Sequence, residues 1–159
     1  MKRGGVSMRK ICCFAGHSRL YGREDVYEKL LSVIEKLIQT EGVAEFWVGH
    51  YGDFDKLCSM AVRELKEKYP HIRLYLIVPY ITAEINKYKE QYYKNYDGIL
   101  IADIPENTPK RLMIIKSNEY MVKNAKYLVC HVTHSFGGAA RVMEYAKKKG
   151  DAKIINIGT

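Results

Sequence analysis

The stretch VCHVTHSFGGAARVMEYAKKKG, Val129 to Gly150, runs from an apolar segment through a small polar turn into a helical pattern that carries Glu144. Thr133 and Ser135 offer hydroxyls, and Gly137 and Gly138 let a ligand approach the backbone closely. A turn of this kind at a helix start presents free N–H groups and the positive end of the helix dipole, a combination that favours an anion such as phosphate. An ordinary strand-to-helix turn with a hydroxyl cap would use the same residues, so the glycine pair does not decide the matter alone. A second loop, GHSRLYG, adds Gly16, His17, Ser18 and Arg19, whose hydroxyl and cation suit the same anion. The two loops together predict a phosphate site. A third loop, GHYGDFD, brings Gly49, His50 and Asp55 to the candidate binding set, with Asp53 and Asp55 at positions where helix caps are common.

Other reactive residues predict less. His131 and His134 are three apart, and if the strand continues that far its alternation sends them to opposite faces, which makes them poor co-ligands. His17 and His50 follow neighbouring strands and could meet, but hydrogen-bonding loop histidines explain them as well, and no metal or other cofactor is expected. Cys12, Cys13, Cys58 and Cys130 form no CxxC pair and sit mostly in apolar runs, where a thiol packs as a small hydrophobe. Tyr75, Tyr80, Tyr88, Tyr92, Tyr93 and Tyr96 read most simply as core edges or an oligomer surface, with base stacking by one or two of them as the alternative.

Hydrophobic periodicity supplies the elements that must position these loops. Short apolar runs are expected as strands at Lys10–Ala15, Glu45–Val48, Ile72–Val78, Gly98–Ala102, Tyr127–Val132 and Lys153–Ile157. Between them, helical spacing appears over Asp25–Glu41, through Leu57, Met60, Ala61 and Leu65 to a stop before Pro70, over Thr82 to about Tyr93, from near Ile114 to Asn124 with Ser117 as a candidate cap, and over Gly138–Lys149. Asp103–Arg111, with Pro105 and Pro109, reads as a loop. Strands and helices in strict alternation, with strands apolar enough to be covered on both faces, predict a doubly wound, mostly parallel α/β sheet of Rossmann-like type. Ligands in such sheets sit beyond the carboxyl ends of the strands, where the strand order reverses. The loops named above, with ADIPENTP after the fourth strand, occupy those ends.

The chain of 159 residues is long enough for one domain with a continuous core, expected over residues 8–159, behind a loose tail at 1–7. The apolar run Ile11–Ala15 is too short for a signal peptide or a membrane span, so a cytoplasmic protein with no membrane partner is expected. Its formal charge is +8, from 26 Lys and Arg against 18 Asp and Glu, which raises the question of nucleic acid. The basic residues are dispersed, many beside glutamates, and read first as a solvated surface.

The segments CCFAGHS, FWVGHYGDFDKLCSMAV, LKEKYPHIRLYLIVPY, SNEYMV and THSFGGAARVMEYAKKKG together resemble the small bacterial YpsA-like members of the SLOG superfamily. That superfamily also includes the LOG phosphoribohydrolases and the Rossmann-like domain of DprA. The resemblance implies a Rossmann-like domain that binds a nucleotide or nucleotide derivative, and it suggests self-association. Against the LOG motif PGGxGTxxE, Gly137, Gly138 and Glu144 match, whereas Phe136, Ala140 and Arg141 replace the proline, third glycine and threonine. Where many relatives read RNxWMV this chain reads SNEYMV, so Asn118 and Met121 match and Ser117 stands in the arginine position. His50 and Asp53 likewise replace glycines. The resemblance thus leads to a nucleotide-binding or sensing module without turnover. The alternative is N-glycosidic cleavage of a nucleoside 5′-monophosphate with Glu144 as the catalytic carboxylate and phosphate held by Ser135, Gly137 and Gly138. DprA-like nucleic-acid binding is the third reading.

Overall fold

The computed structural model describes residues 9–149 and 151–159, so the tail expected over residues 1–7 lies outside the described part. Six strands form one parallel sheet: β1 (Ile11–Gly16), β2 (Glu45–Val48), β3 (Arg73–Val78), β4 (Gly98–Ile101), β5 (Tyr127–His131) and β6 (Lys153–Asn156). Their spatial order is β4-β3-β2-β1-β5-β6, so the chain winds outward from β1 in both directions. The expected doubly wound Rossmann-like sheet is the fold observed.

Strand alternation divides the core between two helical layers. Cys12, Phe14, Phe46, Val48 and Leu74 face the layer formed by α1 (Arg23–Glu41) and α2 (Asp53–Lys68). Both helices supply a buried stripe, Val26, Leu30, Ile34, Leu37 and Ile38 from α1 and Phe54, Leu57, Cys58, Ala61, Val62 and Leu65 from α2. Ile11, Cys13, Ala15, Trp47, Leu128 and Cys130 point the other way, toward α5 (Met113–Asn124) and α6 (Gly138–Lys149). Residues such as Leu30 and Ile34 are fully buried, and truncating either to alanine is worth about 2–5 kcal/mol. All four cysteines are buried and unpaired, and burial raises the thiol pKa of each, as suits packing groups.

Most expected element ends move by only one or two residues. Helix α1 starts at Arg23 because Gly22, at φ 63°, takes the left-handed conformation that turns the chain, and Gly42, at φ 69°, stops it. The helix expected over Thr82–Tyr93 is two short ones, α3 (Ala83–Lys87), with the Thr82 hydroxyl accepting from the Ile85 N–H, and α4 (Lys89–Asn95), joined at Tyr88. A 3-10 turn, Lys110–Leu112, leads into α5, which starts at Met113. Ser117 is therefore inside α5, not at its cap.

The tyrosines divide. Tyr80, Tyr88 and Tyr93 are exposed with Ile81 and Ile101 near the β4 edge, while Tyr75, Tyr92 and Tyr96 are partly buried.

Candidate functional site

Strand order reverses at β1, which pairs with β2 on one side and β5 on the other. The register Ala15↔Cys130 and Gly16↔His131 ends the two strands level, so the loops that follow them rise side by side. Between these loops and the starts of α2 and α6 lies a crevice of about 600 Å³. Gly16, His17, Ser18 and Arg19 line it from β1, Asp55 from α2, Asn118 from α5, and Gly137 and Gly138 from the turn after β5. Eight members of the predicted set thus share one cavity.

The loops are held to each other by specific bonds. The Thr133 N–H donates to Nε2 of His17 at 3.0 Å, which joins the β5 turn to the β1 loop and fixes that nitrogen as an acceptor. The Asp53 N–H donates to the Ser18 carbonyl at 2.8 Å, and its carboxylate accepts from the Leu20 N–H at 3.0 Å and pairs with Arg23 at 2.9 Å. Those contacts, led by the Leu20 amide, hold the Asp53 carboxyl below its usual pKa. Gly52 lets this clasp close, since a Cβ there would lie 2.6 Å from Ser18 Cα. The aspartates expected as caps of α2 therefore tie preceding loops: Asp53 takes the Leu20 amide, and Asp55 the Tyr51 amide at 2.9 Å.

The glycines of the site have different reasons. A Cβ on Gly16 would lie 2.2 Å from the Phe54 ring, so close packing of β1 on α2 requires glycine there whatever the crevice holds. Gly49 is buried behind the Asp55 carboxylate, at 3.2 Å from a would-be Cβ. Gly137 has φ 93°, a left-handed conformation that few other residues adopt. A Cβ on Gly138 would meet nothing within 4 Å. Packing therefore leaves Gly138 unexplained, and it opens directly on the crevice.

Helix α6 begins at that glycine. Its first intrahelical bond runs from the Arg141 N–H to the Gly137 carbonyl, so the amides of Gly138, Ala139 and Ala140 have no acceptor within the helix. Arg19 is exposed on the opposite loop and pairs with no carboxylate among the described residues. Asp55 is half-buried, and desolvation pushes its carboxyl up to about 6, opposed by the Tyr51 amide.

The rest of the predicted set lies elsewhere. Thr133, Ser135 and Glu144 line a shallower hollow of about 310 Å³ on the other side of the β5 turn, with Met143 and Lys147. Glu144 is exposed and 3.4 Å from the Lys147 ammonium. His50 packs near the rings of Tyr51 and Tyr92, away from His17, and burial lowers its pKa. Ser117 is 1% exposed, on the same face of α5 as the buried Met121, and its hydroxyl has no partner. It is Asn118 and Ile114, one turn apart, that α5 shows to the crevice. The loop after β4 lines a separate groove with Lys116, Glu119 and Tyr120 of α5.

Sequence reasoning passes over His134, Phe136, Tyr21 and Tyr51 as binding residues, although all four line the crevice. Strand alternation sets His134 apart from the other histidines, but the strand ends at His131 and the His134 ring folds back to stack on His17 at 3.9 Å. His131 stands edge-on to His17 at 6.2 Å, and its Nδ1 is buried without a partner. Among the described residues no three metal-binding side chains cluster. No helix of the described residues is long and apolar enough to cross a membrane.

Fold and crevice define a class: an all-parallel Rossmann-like α/β protein with an open cavity at its switch point. No family model matches the chain. It is 28% identical over 140 residues to the uncharacterized SPbeta prophage-derived protein YoqJ of Bacillus subtilis, an alignment covering 76% of this chain and 80% of that protein. It is also 28% identical over 144 residues to UPF0398 protein BH1768 of Halalkalibacterium halodurans, covering 86% of this chain and 73% of the relative. In three dimensions it matches DNA processing protein A (DprA) of Streptococcus pneumoniae with a TM-score of 0.67 at 13% identity. That match covers 91% of this chain and 49% of DprA, so the chain spans about half the length of that protein and shares its fold over that part.

Proposed function

We propose that the chain is a SLOG-type, YpsA-like module that binds a nucleotide or nucleotide derivative in the crevice between the β1 and β5 loops, with the phosphate at the start of α6, and that it senses or carries this ligand without turning it over. The observation that carries the reading is Gly138: a Cβ there would meet no protein atom within 4 Å, so packing does not require the glycine, and the residue lines the crevice at the start of α6. Arg19 and Ser18 across the crevice add a cation and a hydroxyl. Isothermal titration with nucleoside 5′-monophosphates tests it. Gly138→Val should weaken binding by about tenfold or more while the protein keeps its thermal midpoint, and unchanged affinity in the folded variant would place the ligand elsewhere.

Absence of turnover is supported by the surroundings of Glu144, which faces the outer hollow and pairs with Lys147. One observation favours the alternative of N-glycosidic cleavage: Asp55, a carboxyl in the crevice with its pKa raised to about 6, has the character of an acid or base catalyst. Chromatography after long incubation with nucleoside monophosphates should find no free base or ribose 5-phosphate. Vigorous release that Asp55→Asn abolishes would establish the enzyme. Nucleic-acid binding, which the fold match to DNA processing protein A suggests, stays third, because the basic residues are dispersed along the chain rather than gathered in one run. Self-association is proposed through the exposed apolar residues near the β4 edge, among them Tyr80, Ile81 and Ile101.

A further inference from the structure

The crevice has a feature that a phosphate site does not use. Phe136 is 70% exposed at the tip of the β5 turn, and Tyr21 is 86% exposed on the loop after β1. Both line the crevice. Large aromatic side chains left open to water in this way have no role in the core.

Phe136 is nevertheless held in place. One face of its ring stacks on His134 at 3.9 Å and 20°, and His134 stacks in turn on His17 at 3.9 Å and 15°. The Thr133 N–H fixes His17 from within the same turn. The three rings form a column that starts at His17, directly after β1, and ends at Phe136. No other aromatic ring of the described residues stacks on Phe136. Phe136 also stands two residues before Gly138, no more than about 7 Å along the chain, a separation that a ribose can bridge.

We infer that Phe136 is the platform for an aromatic ring of the ligand, so that the ligand is a base-bearing nucleotide and not a bare sugar phosphate. This rests on the phosphate reading of Gly138 and extends it to the other end of the molecule. Stacking on a preformed ring needs no ordering of the platform at the moment of binding. It is tolerant of base identity, because every base has a π face, so the platform selects for a base without choosing among them.

The test compares ribose 5-phosphate with the four common nucleoside 5′-monophosphates by isothermal titration on the full chain. The monophosphates should bind about tenfold tighter than ribose 5-phosphate. Phe136→Ala should remove that advantage and leave ribose 5-phosphate binding as it was, whereas Phe136→Trp should keep it and show indole quenching by the monophosphates alone. Equal affinities for all five ligands, or an advantage that survives Phe136→Ala, would overturn the inference while Gly138→Val still tests the phosphate reading. Nucleosides binding as tightly as their monophosphates, with sensitivity to Phe136→Ala but not to Gly138→Val, would uphold the platform and overturn the phosphate reading. Binding by none of these ligands would overturn both.

Discussion

The turn after β5 has two sides, and they differ in nearly every respect that matters for a ligand. On one side Gly137, Gly138 and Phe136 border a crevice of about 600 Å³ walled by three other loops or helices. On the other, Thr133, Ser135 and Glu144 border a hollow of about 310 Å³ with Met143 and Lys147. The inner side combines helix amides without intrahelical acceptors, an arginine and a desolvated carboxyl. The outer side offers hydroxyls and an ion pair in water. The same division runs through α5, where Asn118 faces the crevice and its neighbour Ser117 the core. Residues adjacent in sequence can thus belong to unrelated environments, and a motif match does not say which side each residue takes.

The largest expected effect tests the division in α5. Ser117→Arg must bury a guanidinium that has no partner, and we expect it to lose about 3 kcal/mol or more of stability in urea unfolding. Asn118→Arg, on the crevice side, should unfold within about 1 kcal/mol of wild type. An arginine carried onto α5 by resemblance could therefore reach the crevice from position 118 or 114 but not from 117. A well-folded Ser117→Arg protein would show that the two faces are assigned wrongly.

A smaller effect sharpens the inner side. The native pKa of Asp55, about 6, lies above its ordinary value of 3.8. The native state therefore holds the proton more tightly than the unfolded chain, and this contribution is complete below about pH 4 and lost as pH rises through 6. An asparagine in its place does not titrate and can still accept from the Tyr51 amide. Asp55→Asn should gain on wild type as pH rises, the gap widening by about 1 kcal/mol between about pH 5 and pH 8 in urea titrations. A constant gap would mean that Asp55 is well solvated.

The smallest effect belongs to the outer side. Glu144→Gln breaks an exposed ion pair with Lys147, and such pairs contribute a few tenths of a kcal/mol. Stability should change by less than about 0.5 kcal/mol and nucleotide affinity not at all. A tenfold loss of affinity would move the binding site to the hollow.

The alternation of strand and helix and the cover on both faces of the sheet are legible in the sequence because they depend on periodicity, which burial on two faces imposes on every strand. Seven of the eight predicted residues in the crevice are legible for a related reason, as they lie in loops or helix starts that follow strand ends the topology must bring together, whereas Asn118, inside α5, enters only through the resemblance of SNEYMV. Side-chain direction within a turn is not periodic, so Thr133 and Ser135 cannot be told from Gly137 and Gly138 by pattern. Ser117 resembles a cap in the sequence, but the 3-10 turn at Lys110–Leu112 moves the helix start upstream of it. The stack of Phe136, His134 and His17 joins residues from two loops far apart in the chain, and no local pattern announces it.

A crystal structure of the chain soaked with a nucleoside 5′-monophosphate decides between the two sides of the β5 turn. Difference density is expected in the crevice, with the phosphate within hydrogen-bond distance of the Gly138 and Ala139 amides. Density for the phosphate in the hollow beside Ser135 and Glu144, with the crevice holding only solvent, would contradict the proposed site.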